Sequence, residues 1–126
     1  MIHEVIMNSG NKELIIKRLY SVEKHVTFKV SIKSDGFSGT SNFCIPLTTL
    51  DTVINTLSRM YNDLSGSCEI KDCDSDAFLI IKMRELGHMD IVGQIGGSHE
   101  DHSMRFKLAT DQTVLANLIQ VLKAMH

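Results

Sequence analysis

The sequence predicts an α+β fold, an antiparallel β-sheet of about six to seven strands with two amphipathic helices packed on one face. Three observations predict it. Two alternating apolar runs flank Asp35-Gly36, and another two flank Glu85-Leu86-Gly87. Two segments repeat their apolar residues at helical spacing, one between the strand runs and one after them. A doubly wound parallel sheet would need a helix between most strands, and those helices are absent.

In chain order, Lys12 to Tyr20 reads as a strand. In "HVTFKVSIKSDGFSGTSNFCIP" apolar side chains alternate at Val26, Phe28, Val30 and Ile32, and Asp-Gly is a strong signal for a two-residue hairpin turn. Closing the loop there sets Phe28 against Phe43, Val26 against Ile45 and Ile32 against Gly39, so apolar meets apolar along most of one face. Both turn residues are expected at positive φ.

"TTLDTVINTLSRMYNDLSG" follows, with Leu50, Val53, Ile54, Leu57, Met60, Tyr61 and Leu64 on one helical face. Thr48 and Asp51 stand as a capping-box variant, and Gly66 as the stop. Ser67 to Asp72 reads as a strand. "AFLIIKMRELGHMDIVGQI" then reads as a hairpin with a three-residue loop, Glu85 to Gly87, placing Gly87 in the left-handed region and pairing Met83 with Met89 and Ile81 with Ile91. Because Phe78 to Ile81 are apolar on both faces, that strand is expected inside the sheet. Ser103 to Leu108 is a further strand. The last helix carries Leu115, Leu118, Ile119, Leu122 and Met125 on one face and starts at Thr110 or Asp111 as N-cap. Burying such a face stabilises each helix by on the order of 10 kcal/mol before entropy is counted.

The 126 residues fit one domain, 1–126, with 43% apolar and 22% charged residues. One proline, Pro46, and no Gly/Ser tract, charge block or sequence repeat divides the chain. The net charge of -2 lacks the basic excess that a nucleic-acid backbone requires, so no direct nucleic-acid partner is expected. No apolar run approaches a membrane span, and the start lacks a secretory pattern, so a cytoplasmic protein without a membrane partner is expected. Cys44, Cys68 and Cys73 form no CxxC pair and are expected to be reduced, partly buried thiols.

The candidates for chemistry each fail a spacing test. His99, Glu100, Asp101 and His102 follow Gly96, Gly97 and Ser98, which places them in a connection between strands. Histidines three apart in a turn splay, and the zinc motif HExxH needs them four apart on a helix. Asp72, Asp74 and Asp76 open like an EF-hand loop, but Ala77 replaces the required glycine and Met83 the closing glutamate. His88 and Asp90 share a strand face as an acid/base pair would, with a polar outer face as the simpler account. No GxSxG and no phosphate loop occur. Gly93, Gly96 and Gly97 mark a bulge or a close approach. No catalytic residues, metal ligands or cofactor are assigned.

One resemblance adds to this. The order "FSG" before the first helix, "LSRMYNDLSGSCEI", "GHMDIVGQI" and then "MRFKLATDQTVLANLIQVL" resembles small bacterial immunity proteins of the WapI type, over most of residues 12 to 124. Asp111-Gln112-Thr113 is its most specific part; those residues read physically as helix N-terminus chemistry. Residues 1 to 11 do not align.

The resemblance implies a cytoplasmic, non-enzymatic protein. Its expected partner is the C-terminal domain of a contact-delivered polymorphic toxin, often a nuclease, neutralised by occluding its surface. Because nuclease clefts tend to be basic, Asp72, Asp74, Asp76, Glu100 and Asp101 are the expected partner-binding acids. Two rival readings are a metal- or small-ligand-dependent domain using His88, Asp90, His99 and His102, and a homo-oligomeric interaction module, such as a homodimer, built through an exposed edge strand.

Overall fold

A computed structural model describes residues 3–126. Four strands, β1 (Glu4–Ser9), β2 (Lys12–Val22), β3 (His25–Ser34) and β4 (Phe37–Pro46), precede helix α1 (Leu47–Asp63). Four more, β5 (Ser67–Lys71), β6 (Phe78–Met83), β7 (His88–Ile95) and β8 (Met104–Asp111), precede helix α2 (Gln112–Lys123). The α+β class is as expected. Instead of one sheet of six or seven strands there are two antiparallel sheets of four, ordered β1-β2-β3-β4 and β5-β6-β7-β8. Hairpin signals fix which strands are neighbours, but they carry no information on whether two meanders share a ladder. The result is one ββββα unit used twice, although no repeat is visible in the residues.

The strand missed by the sequence reading is β1. Val5 and Met7 point into the core, and Gly10, at φ 61, turns the chain into β2. Ile6 sits outside at 47% exposure, and an apolar residue on the wet face hides the alternation that marks a strand. The β3–β4 register is the expected one, Phe28 to Phe43, Val26 to Ile45 and Ile32 to Gly39. Only Asp35 of its turn has positive φ (57°), so the turn makes that demand at one residue and not at both.

The second hairpin also pairs as expected, Met83 with Met89 and Ile81 with Ile91. Glu85–Gly87 forms a single 3-10 turn closed by Arg84 N–H donating to the His88 carbonyl (2.7 Å). Gly87 is left-handed (φ 77), and a side chain there would collide with Gln112, 2.2 Å from Oε1. Strand β6 lies between β5 and β7, as its composition predicts, but Phe78 and Ile80 on its second face are only half-buried.

Both sheets turn one face toward a common core. Phe28 and Phe43 stack with ring centroids 5.5 Å apart. The sheets meet where Ile95 of β7 fills the space over Gly39 of β4; a Cβ there would lie 2.7 Å from Ile95 Cδ1. Leu50, Val53, Ile54, Leu57 and Met60 of α1 and Leu115, Leu118, Ile119, Val121 and Leu122 of α2 complete it. The helices pack on each other and cross over, α1 onto β5 and α2 onto β1, so each helix covers the opening strand of the other unit. Among the described residues no helix is long and apolar enough to cross a membrane.

The helix ends differ from expectation in one case and match in the other. Helix α1 starts at Leu47 behind Pro46 with no side-chain cap, so the Thr48/Asp51 box does not form. Its stop comes at Leu64 in the left-handed conformation (φ 52), two residues before Gly66, and Tyr61 and Leu64 are each 43% exposed and stand off the core. Helix α2 is capped by Asp111, whose Oδ1 accepts from Thr113 N–H at 2.9 Å.

Candidate functional site

The polar residues gather at the ends of β5–β8. Between β5 and β6 the chain runs through Asp72, Cys73, Asp74, Ser75, Asp76 and Ala77; between β7 and β8 it runs from Gly96 to Ser103. Asp76 joins the two connections: its carboxylate accepts from Ser98 N–H (2.8 Å), from the Ser98 hydroxyl and from Gln94 Nε2 (3.1 Å). Those donors favour the charged form, and the Ser98 hydrogen bonds, aided by His99, hold the Asp76 carboxyl below its usual range. Asp74, Ser75, Asp76, Gly97, His99 and Glu100 line a shallow hollow of about 250 Å³ between the loops.

Asp72 plays a different part. It is buried, and its carboxylate accepts from Cys44 N–H (2.9 Å), the Ser75 hydroxyl (2.7 Å) and Asp74 N–H (3.3 Å). It therefore pins the β5–β6 connection to β4 of the other sheet, whereas the other four acids expected at a partner surface, Asp74, Asp76, Glu100 and Asp101, are exposed. The turns that looked independent in the sequence are brought to one end of the molecule.

The histidines are not gathered. His99, Glu100, Asp101 and His102 are all exposed in the connection, and His102 lines a separate hollow of about 300 Å³ with Phe37, Gly39, Ile95 and Met104. Gly96 there is left-handed (φ 73) with the His102 carbonyl 2.5 Å from where a Cβ would stand, a close approach as its type suggested. Gly93 is the second: a Cβ would lie 2.6 Å from Phe106 Cζ and 2.9 Å from Leu79 Cδ2. His88 and Asp90 are divided, with Asp90 paired to Arg84 Nε at 2.8 Å and His88 opposite Asp111 across the ladder.

One cluster escaped the sequence reading. Cys44 Sγ, Cys73 Sγ and a carboxylate oxygen of Asp74 lie within 4.8 Å of one another, the one such group of metal-type ligands among the described residues. Cys73 N–H donates to the Cys44 carbonyl (3.0 Å), so β4 and the β5–β6 connection hold the two thiols side by side. The Cys73 thiol is pushed up to about 11, first by partial desolvation, then by its hydrogen bond to Cys44 and by the nearby Asp74 and Asp72 charges. Cys68, buried in the core, is likewise raised to about 11 by burial. A separation of 29 positions between Cys44 and Cys73 gives no local motif, and only the docking of the loop onto β4 reveals the pair.

Two meanders of four strands, each closed by a helix over the other, with exposed acids on loops that meet at one end and Asp72 buried beneath them, define a small α+β fold. The chain belongs to the immunity protein WapI-like family, whose model matches residues 15–126. Among the curated proteins none matches. Among solved structures, a chain from the crystal structures of trypanosoma bruciei MRP1/MRP2 is similar, with a TM-score of 0.58 and 10% identity, covering 97% of this chain and 81% of that one. At that identity the likeness concerns the fold alone.

Proposed function

We propose that this protein neutralises a cognate toxin domain by binding over its working surface, and that Asp74, Asp76, Glu100 and Asp101 face the toxin. The carrying observation is the convergence of the two acidic connections, bridged by Asp76 and Ser98, in a member of an immunity family. Two loops tied together present their charges with little freedom, so less ordering entropy is lost on binding than two independent loops would lose. A nuclease fits as the toxin class, because a basic substrate cleft attracts an acidic surface and is blocked by it. Asp72 supports this surface from beneath. Neutralisation in this reading is non-catalytic, and cytoplasmic residence follows from where such a toxin acts.

The test replaces Asp74, Glu100 and Asp101 together by Lys, leaving the bridging Asp76 and the buried Asp72 in place. Association with the cognate toxin domain should slow by about tenfold or more and lose much of its salt dependence, while dissociation changes less. Unchanged association at low salt rejects this surface. A second copy of the chain is the rival occupant: a stable dimer whose formation protects these loops, together with no protection of cells co-expressing the toxin, would replace the reading.

A further inference from the structure

We infer that Cys44, Cys73 and Asp74 form a binding site for a thiophilic metal ion, zinc. The site shares Asp74 with the toxin-facing surface but rests on the two cysteines, which that surface does not use. Two thiols and a carboxylate from two separate segments lie within 4.8 Å of one another. Tetrahedral zinc, with Zn–S of about 2.3 Å and Zn–O of about 2.0 Å, sets sulfur atoms roughly 3.7 Å apart and sulfur and oxygen roughly 3.5 Å apart. Cys73 Sγ already stands 3.7 Å from Asp74 Oδ1, and the two separations from Cys44, within 4.8 Å, need to close by no more than about 1.3 Å.

The frame is set before any ion arrives. Cys73 N–H donates to the Cys44 carbonyl at 3.0 Å, and Cys44 N–H donates to the buried Asp72 carboxylate at 2.9 Å. These bonds fix both cysteine backbones, and Asp72 serves as the outer partner that orients the ligand-bearing segments. Cys44 is half-buried on β4, while Cys73 and Asp74 are exposed, so the ion has an entry path. Cys44 and Asp74 open onto a hollow of about 430 Å³ shared with Tyr20, His25 and Asn42, which leaves room for water as the fourth ligand. Two sulfurs favour zinc over magnesium or calcium, which take oxygen. On binding, each thiol gives its proton to solvent as its sulfur bonds the ion; no electron is transferred.

The measurement is metal uptake by the purified, untagged full chain, kept reduced with a non-chelating phosphine, using Zn²⁺ in competition with a chromophoric chelator and Co²⁺ as a spectroscopic stand-in. The expected result is one equivalent of Zn²⁺ and a thiolate-to-cobalt absorption band. Cys73→Ser and Cys44→Ser should each abolish the band and weaken Zn²⁺ binding by more than about 100-fold, beyond the loss that outer-shell changes cause. Asp74→Asn should weaken it by roughly tenfold or more while keeping the band, and Cys68→Ser should change neither. Cys73 is exposed, so its variant carries the test if Cys44→Ser fails to fold. No stoichiometric uptake, or uptake kept by the Cys44→Ser/Cys73→Ser double variant, overturns the site. So does a reduced chain that takes no ion and instead joins the two sulfurs on mild oxidation. Both cysteine variants keep the four exposed acids, so toxin association is read separately.

Discussion

The two ββββα units use the same order of elements for different ends. In the first, β2, β3 and β4 run 11, 10 and 10 residues and turn through Gly10-Asn11, Glu23-Lys24 and Asp35-Gly36. In the second, the strands run only 5 to 8 residues, and the chain spends its length on the connections from Asp72 to Ala77 and from Gly96 to Ser103. Long strands with minimal turns maximise paired backbone and buried face. Short strands with long connections give that up for exposed polar side chains, which a rigid scaffold can then hold in place. One unit is mostly frame, and the other carries the candidate surfaces, with the frame reaching across at Cys44 to hold the loop.

A single substitution does the most damage in the frame. Phe28 is fully buried against Phe43, and Phe28→Ala should destabilise the whole chain by about 3–5 kcal/mol, because the cavity cannot close between two paired strands. Both sheets and both helices share one core, so denaturant unfolding should remain a single transition with a lower midpoint. Two separated transitions would show that the units are energetically independent.

Asp72→Ala comes next. It leaves Cys44 N–H and the Ser75 hydroxyl without their charged acceptor and should cost about 2–3 kcal/mol, measured by chemical denaturation. The same change should slow association with the toxin domain less than the triple charge reversal does, since Asp72 supports the surface without forming it. An equal or larger loss of association rate in Asp72→Ala would place the contact on the loop's shape and not on its charges.

How far these features could be read from the residues follows the same division. Registers in both hairpins were legible because apolar faces leave one pairing that matches, and the Asp111 cap was legible because short acids at helix starts accept free N–H groups. Strand β1 was hidden by Ile6, and the split into two sheets by the lack of any local mark for where a ladder ends. In the loops the legible part was composition alone. That Asp72 would be buried, that Asp76 would reach Ser98, and that Cys73 would meet Cys44 are all consequences of docking between segments far apart in sequence, which no spacing rule encodes.

A smaller effect tests the helix that closes the second unit. Asp111→Ala removes the cap on Thr113 N–H and should cost about 1 kcal/mol. Thr113's hydrogen bonds hold the folded Asp111 carboxyl below its ordinary 3.8. Its contribution is therefore fully present above pH 3.8 and is lost as pH falls further, through the folded value. The gap in stability between the native chain and Asp111→Ala should be constant near neutrality and shrink below pH 3.8. A gap unchanged by acid would mean that the cap acts through shape and not charge.

The smallest effect sharpens the contrast by improving the frame while leaving the loops alone. Glu23 (φ 48) and Lys24 (φ 67) both occupy the left-handed region in the β2–β3 turn, which favours glycine or asparagine. Each side chain there costs about 1–2 kcal/mol of backbone strain. Lys24→Gly removes that cost at one position but enlarges the unfolded ensemble by about 0.5–1 kcal/mol, so the strain term wins narrowly. Asparagine at position 23 tolerates the same conformation without that loss. The Glu23→Asn/Lys24→Gly chain should gain about 1 kcal/mol and a higher thermal midpoint. The Lys24 carbonyl still accepts from Leu47 N–H, since only side chains change, and so the start of α1 is undisturbed. Toxin association and metal uptake should stay as in the native chain. A shift in either would mean that strain in this turn is transmitted to the loops of the other unit, and the division between frame and surface would fail.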